Sequence, residues 1–359
     1  MPPVRVVALR LKTTRGLQPA EVLDERQRGT RFVTLAPRTV MNPPSQTGMP
    51  FWSLNPYVGC EFGCTYCYAR YAHRYVVERA YAAGKLTGAE LRDFRGTRGW
   101  EAFETRIFVK SQILAALDAD LLRYSRRDPG VPATIVIGTA TDPYQPAERR
   151  FRLTRIVLER LTLCEGLSLG MITKSALVTR DVDLLLEIQR RNALEVHVSL
   201  MTLDKALIRA LEARSPMPAV RLRALQRLTR AGIQAGLIVA PVLPGITDNR
   251  DQLDALFAAA RDAGAQFVHA SPLRLYPGIR DRFLPVLDTR FPHLAARYRR
   301  AYAGHGAAPP AYARALAARI RSLQVRHGFA TRDMRDRYEK QPPVAQWELD
   351  FESQPRLTR

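Results

Sequence analysis

Three of the four cysteines, Cys60, Cys64 and Cys67, stand in one stretch, Leu54-Asn-Pro-Tyr-Val-Gly-Cys60-Glu-Phe-Gly-Cys64-Thr-Tyr-Cys67-Tyr-Ala-Arg70, with spacing C-x3-C-x2-C. Thiolates at this density are ligands for a soft metal centre. Gly59 and Gly63 allow so tight a loop to curl. Three thiolates on one loop can hold three irons of a cubane [4Fe-4S] cluster and leave the fourth iron open to a small molecule. An electron-transfer ferredoxin would need a fourth cysteine. Cys164, among Leu161, Leu163 and Leu167 at the end of a helical pattern, reads instead as a buried structural thiol. The competing donor set is Cys3His, with His73 closing a zinc site in a non-enzymatic nucleic-acid-binding protein. Zinc modules mostly take their ligands in two separated pairs, whereas these three thiols head a long alternating pattern.

That pattern must position the loop. Short apolar runs predict strands at 53–58, 106–110, 134–138, 167–173, 195–201, 235–241 and 266–271. Helical periodicity predicts helices at 151–163, 181–190 and 251–263. Repeated strand-then-helix units mean a parallel sheet with helices outside it. Six or seven such units predict an α/β fold, a partial (β/α)6 barrel of parallel strands with outer helices; a flat doubly wound sheet is the alternative. The expected organisation is an N-terminal lead-in over 1–50, a core over 51–275 with an insertion at 84–105, and a C-terminal helical region and tail over 276–359. Two helices are expected at 281–304 and 310–328. Strand parity places Glu195, His197, Ser199 and Met201 on one face of their strand, with His269 and Ser271 on the polar face of another. Polar inner faces suit a ligand-filled lumen.

The 359 residues carry a formal charge of +21 and 46% hydrophobic residues, which excludes a disordered chain. Only six of the 55 basic residues are lysine, so arginine dominates and the excess is diffuse. It tilts the choice of partner toward nucleic acid. No run of about 18 apolar residues predicts a membrane span. The first residues lack a secretory pattern, so the expected location is the cytoplasm.

C-x3-C-x-aromatic-C after the first strand, with Tyr66 at the aromatic position, resembles the radical S-adenosylmethionine (radical SAM) superfamily. Asn55-Pro-Tyr-Val-Gly-Cys60, Cys67-Tyr-Ala-Arg70, Gly138-Thr-Ala-Thr-Asp-Pro-Tyr-Gln-Pro-Ala-Glu148, Ile172-Thr-Lys-Ser175 with Thr179-Arg-Asp181, and Ala240-Pro-Val-Leu-Pro-Gly-Ile-Thr-Asp248 resemble the branch of spore photoproduct lyase and its relatives. The resemblance spans about residues 51–275.

The resemblance implies a [4Fe-4S] cluster on Cys60, Cys64 and Cys67. It also implies S-adenosyl-L-methionine (SAM) as cofactor, an external one-electron donor, and reductive cleavage of SAM to a radical that abstracts hydrogen from a substrate. It places Tyr66 near the adenine, Thr141 and Asp142 near the methionyl part, Lys174 near the SAM carboxylate and Ser199 within hydrogen-bond reach. Asp142 reads equally as a turn residue before Pro143. Asp181 reads as a helix N-cap, and Thr247-Asp248 as a loop and cap. Tyr68 matches a tyrosine that assists a hydrogen-donor cysteine in the lyases; Thr139 stands where that cysteine would be. Lyase chemistry on a thymine dimer is therefore in doubt. The substrate classes left open are a nucleic acid and, alternatively, a peptide or protein.

Overall fold

The computed structural model describes residues 5–6, 22–25, 29–96, 101–128, 130–131, 133–304 and 306–331. The polar tail expected after residue 331 lies outside the described residues, as does most of the first 28.

Seven strands form the main sheet: β1 (Met41–Asn42), β2 (Trp52–Leu54), β3 (Thr134–Ile137), β4 (Ser168–Thr173), β5 (Ala193–Ser199), β6 (Ala235–Val242) and β7 (Val268–Pro272). Their order is sequential, β7-β6-β5-β4-β3-β2-β1. From β2 to β7 every pairing is parallel; β1 pairs antiparallel with β2 and closes one edge. The ends, β1 and β7, do not pair with each other, so the six parallel strands make a partial (β/α)6 barrel. Helices Leu153–Leu161, Val182–Arg191, Pro218–Arg230 and Arg250–Asp262 lie in the crossovers. Each turns leucine-rich positions inward, such as Val157, Leu158 and Leu161 in the first.

The strand expected at 106–110 forms at Arg106–Lys110 but not in this sheet. It joins a four-stranded sheet ordered Val22–Glu25, Arg31–Leu35, Arg106–Lys110, Tyr57–Val58. Its alternation explains the diversion. Ile107 and Val109 enter the main core, while Phe108 packs with Val33, Leu35, Val58, Val77 and Phe94 in a second one. The expected 53–58 strand is likewise split: after β2 the chain turns, and Tyr57–Val58 pairs antiparallel with Phe108 and Val109. Residues 31–42 thus contribute strands to both sheets rather than leading in. The C-terminal region has three described helices, Pro277–Arg290, Pro292–Ala301 and Pro310–Arg326, because Pro292 opens a new helix where one continuous helix was expected.

Among the described residues no helix is long and apolar enough to cross a membrane.

Candidate functional site

The cysteine loop begins where Tyr57–Val58 ends, at the C-terminal end of the parallel strands, and runs into the helix Arg70–Ala82. Gly59 (φ +89°) makes the first turn. A Cβ there would stand 2.9 Å from the Phe103 carbonyl and 3.0 Å from that of Arg106, so only glycine lets the loop lie this close to the second sheet. Cys60 N–H donates to the Phe103 carbonyl (2.8 Å). Across the loop, Thr65 N–H donates to the Leu211 carbonyl (2.9 Å), which ties the middle of the loop to the chain after β5.

The end of β3 holds the loop from inside. Thr141 Oγ1 donates to the Gly59 carbonyl (2.6 Å), and Gln145 Nε2 donates to the same oxygen (3.1 Å). Gln145 Oε1 accepts from Glu61 N–H (3.0 Å), while Glu61 Oε2 accepts from Ala147 N–H (2.7 Å). The Thr141-to-Ala147 stretch is therefore a clamp on the loop backbone. Asp142 accepts from Thr173 Oγ1 (2.7 Å), Tyr144 N–H (2.9 Å) and Lys174 N–H (2.7 Å), locking the end of β3 to the end of β4. Burial raises its pKa against those three hydrogen bonds.

Opposite the clamp lies a buried charge network. Glu212 and Arg221 are both fully buried and paired, and Arg221 also donates to the Ser199 carbonyl (2.8 Å). Tyr66 hydroxyl donates to Glu212, and Ser215 Oγ donates to its other oxygen (2.8 Å). Lys174 Nζ stands 2.8 Å from Ser199 Oγ, 3.5 Å from Glu212 Oε1 and 5.9 Å from the centre of the Tyr66 ring. Tyr66 from the loop, Lys174 just after β4 and Ser199 at the end of β5 thus meet at one place. Burial alone would push Lys174 down, but Glu212 and Cys64 outweigh it and raise its pKa, so the ammonium is charged. Burial pushes Glu212 up, yet Lys174 and Arg221 hold it down to about 2.

Of the three thiols, Cys60 and Cys64 are buried and Cys67 is partly buried. Burial pushes the Cys60, Cys64 and Cys67 thiols up. Cys64 and Cys67 push the Cys60 thiol further up, and Cys67 does the same to Cys64. Among the described residues no group of three or more His, Cys, Asp or Glu side chains is gathered so that it could hold a metal ion as the side chains stand. Soft thiolates that repel one another, beside the cations Lys174 and Arg70, are the donor set a cationic iron centre stabilises. Cys164 pairs with Val6 just ahead of β4, at the other end of the parallel strands from the loop, which keeps it apart as a structural thiol. His73 is buried against Phe103 and Phe108, its Nε2 2.8 Å from the Arg106 carbonyl. That carbonyl makes Nε2 a proton donor rather than a metal ligand. The Cys3His zinc set is not assembled.

Thr139 belongs to a small polar cluster. Its hydroxyl bonds with Ser53 and accepts from Asn55 Nδ2 (3.1 Å), while Tyr68 hydroxyl donates to its carbonyl (2.6 Å). Asp181 occupies the N-cap position of the helix Val182–Arg191, but its side chain makes no capping hydrogen bond. Its carboxylate takes Tyr144 hydroxyl (3.1 Å), Arg155 (2.7 Å) and Arg180 (2.7 Å), and Asn249 rather than Asp248 caps the helix after β6. Glu61, Gln145, Glu212 and Arg221 escaped the sequence reading. Glu61 and Gln145 stand inside stretches already singled out and had a signal; Glu212 and Arg221 had none.

A sequence model described as the Radical SAM superfamily matches residues 54–257. The chain belongs to the radical SAM superfamily. It is 33% identical over 306 residues to "Uncharacterized protein Rv2578c" of Mycobacterium tuberculosis (strain ATCC 25618 / H37Rv), covering 84% of this chain and 82% of the relative. To "Uncharacterized protein MJ0683" of Methanocaldococcus jannaschii it is 26% identical over 217 residues, covering 60% of this chain and 70% of the relative. Among solved structures, spore photoproduct lyase complexed with dinucleoside spore photoproduct superposes with a TM-score of 0.58 at 14% identity, over 84% of this chain and 82% of that one. That last likeness is one of fold. Membership makes the chain a radical SAM enzyme, and the family implies a [4Fe-4S] cluster, SAM and an external electron donor.

Proposed function

We propose that Cys60, Cys64 and Cys67 ligate the [4Fe-4S] cluster and that Tyr66, Lys174 and Ser199 grip SAM beside it. The observation that carries this reading is the convergence of a charged lysine, a serine and an aromatic ring beside the loop that carries the three thiols. When bound, cluster and cofactor together supply reductive cleavage of the sulfonium bond, giving methionine and a 5′-deoxyadenosyl radical for hydrogen abstraction. The chain's own residues do the rest. Lys174, kept protonated by Glu212, offers the SAM carboxylate a charge-assisted hydrogen bond. Ser199, drawn toward Lys174, fixes where that ammonium points. Thr141, Gln145 and Glu61 hold the backbone of the loop that carries the three sulfurs. Asp142 orients the start of the Lys174 segment by accepting its backbone N–H.

For the substrate we propose a nucleic acid, supported by the +21 charge. Thr139 stands where the lyases carry a hydrogen-donor cysteine, and its O–H bond is far too strong to return a hydrogen atom as a thiol does. The reaction proposed on that substrate is accordingly a modification rather than thiol-assisted dimer reversal, with the Tyr68 hydroxyl bonded to the Thr139 carbonyl.

The test is anaerobic reconstitution followed by iron analysis and electron paramagnetic resonance. About four irons per chain and a cluster signal that changes on adding SAM are expected, with both lost in Cys64→Ala. A colourless protein holding one zinc overturns the reading. For the substrate, affinity for single- and double-stranded oligonucleotides should fall steeply with salt; no measurable binding removes nucleic acid.

A further inference from the structure

Among the described residues six large apolar side chains are exposed, and three of them are tyrosines on or just before one helix: Tyr68 (39%), Tyr75 (57%) and Tyr81 (42%). That helix, Arg70–Ala82, follows the third cysteine of the loop. Tyr71 N–H donates to the Tyr68 carbonyl (3.2 Å), so the helical turn reaches back to Tyr68. At about 3.6 residues per turn Tyr68, Tyr71, Tyr75 and Arg79 fall on one face, and Tyr81 falls on the opposite one. From Tyr68 to Tyr75 the stripe is about 10 Å long.

The stripe starts beside Thr139, whose carbonyl accepts from the Tyr68 hydroxyl (2.6 Å). Tyr71 is partly buried and meets the partly exposed Tyr276 edge-on, with ring centres 5.7 Å apart and planes at 73°. Farther out, Arg79 Nη1 donates to the Tyr75 hydroxyl (2.6 Å), and the guanidinium lies 5.3 Å from the ring centre. Arginines flank the rings. Burial and Cys67 push the Tyr68 hydroxyl up, and the charge of exposed Arg274 pulls it back. Burial pushes Tyr71 up to about 12, against its bond to the Gly278 backbone and the charge of Arg280. Arg280 is bonded only to neutral groups, the carbonyls of Tyr302 (3.0 Å) and Ala303 (3.1 Å), which leave its charge standing. On the acidic side, Asp281 acts on Tyr71, while Glu78 is already taken by Arg74 (2.8 Å) and Arg95 (2.9 Å). Exposed rings interleaved with cations suit a ligand that alternates flat π-faces with anionic links. A duplex hides the faces of its bases, and an acidic peptide has no bases to stack.

We propose that Tyr68, Tyr75 and Tyr276, with Arg79, Arg274 and Arg280, form a track for single-stranded nucleic acid, whose bases stack on the rings and whose phosphates meet the guanidiniums. The helical stripe matches about three stacked nucleotides at ~3.4 Å each, and it ends beside Thr139. The inference rests on the nucleic-acid reading above and narrows it to an unpaired strand.

The probe is a fluorescein-labelled oligothymidylate of about 12 nucleotides, alone and paired with oligoadenylate. Its affinity for the reconstituted full chain is measured by fluorescence anisotropy over a range of salt. The single strand should bind about tenfold more tightly than the duplex. Tyr75→Ala should weaken single-strand binding about tenfold, the loss of one stacked base, with thermal unfolding unchanged. Tyr75→Phe keeps the ring and should keep the wild-type affinity. Tyr81→Ala removes an exposed tyrosine from the opposite face of the same helix and should change nothing. Arg274→Gln should reduce the slope of log K against log salt by about 0.7, the share of one phosphate contact on a single strand. Single-strand affinity in Tyr75→Ala within about twofold of wild type, or duplex bound more tightly than single strand, overturns the proposal. So does displacement of the oligonucleotide by polyglutamate of equal charge, which would make this a face for acidic protein. No binding of either nucleic-acid form would instead overturn the nucleic-acid reading itself.

Discussion

Lys174→Met separates a cofactor-binding lysine from a merely structural one. Methionine keeps the length and the apolar stem of lysine and removes the charge. In the native network Glu212 retains Arg221, Ser215 Oγ at 2.8 Å and the Tyr66 hydroxyl after Lys174 is gone. No buried carboxylate is orphaned, and the desolvation cost of the lysine disappears with it. The folded protein should therefore lose little, with a melting temperature within about 2 °C of wild type. SAM binding should lose a charge-assisted hydrogen bond, about 1.5–3 kcal/mol, or roughly 10- to 150-fold in Kd. The assay is equilibrium binding of SAM to reconstituted protein, paired with thermal unfolding and iron content. A Kd within about threefold of wild type refutes the role. So does a collapse in melting temperature with loss of iron, because Lys174 would then serve Glu212 alone.

Four further outcomes follow from the same geometry. Arg221→Met leaves Glu212 buried without its guanidinium and should cost about 3–5 kcal/mol in urea denaturation, with Arg221→Met/Glu212→Gln recovering part of it. His73 is lowered by burial from 6.5 to about 4, so the unfolded chain takes up its proton first. Its contribution is fully present above about pH 6.5 and is lost as pH falls toward 4, near 2 kcal/mol by about pH 5; His73→Phe should flatten that limb of the metal-free protein's stability curve. Glu212 has its folded pKa depressed to about 2 from 4.5, so its contribution holds above about pH 4.5 and is lost below, a limb that Glu212→Gln should remove. Gly59→Ala forces a Cβ to within 2.9 Å of the Phe103 carbonyl at φ +89°, and iron uptake on reconstitution should fall severalfold while secondary structure by circular dichroism is kept.

Local spacing made the cysteine loop legible, because three thiols within eight residues announce themselves whatever surrounds them. The repeating β/α units were legible for a similar reason, since parallel strands buried on both faces read as continuous apolar runs. Arg106–Lys110 shows the limit: its apolar alternation names a strand but not the sheet it joins, which is decided by Phe108 finding a second core. Thr141 and Asp142 stood out by motif, yet what their oxygens touch depends on a loop 80 residues earlier and a strand 30 residues later. Glu212 and Arg221 were invisible. In sequence they resemble the many surface charges of this chain, and only the fold puts both in the dark under Tyr66 and Ser199.

The central claim is that the chain cleaves SAM reductively on a cluster held by Cys60, Cys64 and Cys67. Its most direct test is chromatographic detection of 5′-deoxyadenosine after the anaerobically reconstituted protein is mixed with dithionite and SAM. The account predicts 5′-deoxyadenosine and methionine from the wild type and neither from Cys60→Ala, Cys64→Ala or Cys67→Ala. Intact SAM in the presence of a fully loaded, reduced protein, or undiminished 5′-deoxyadenosine from any of the three variants, would contradict it.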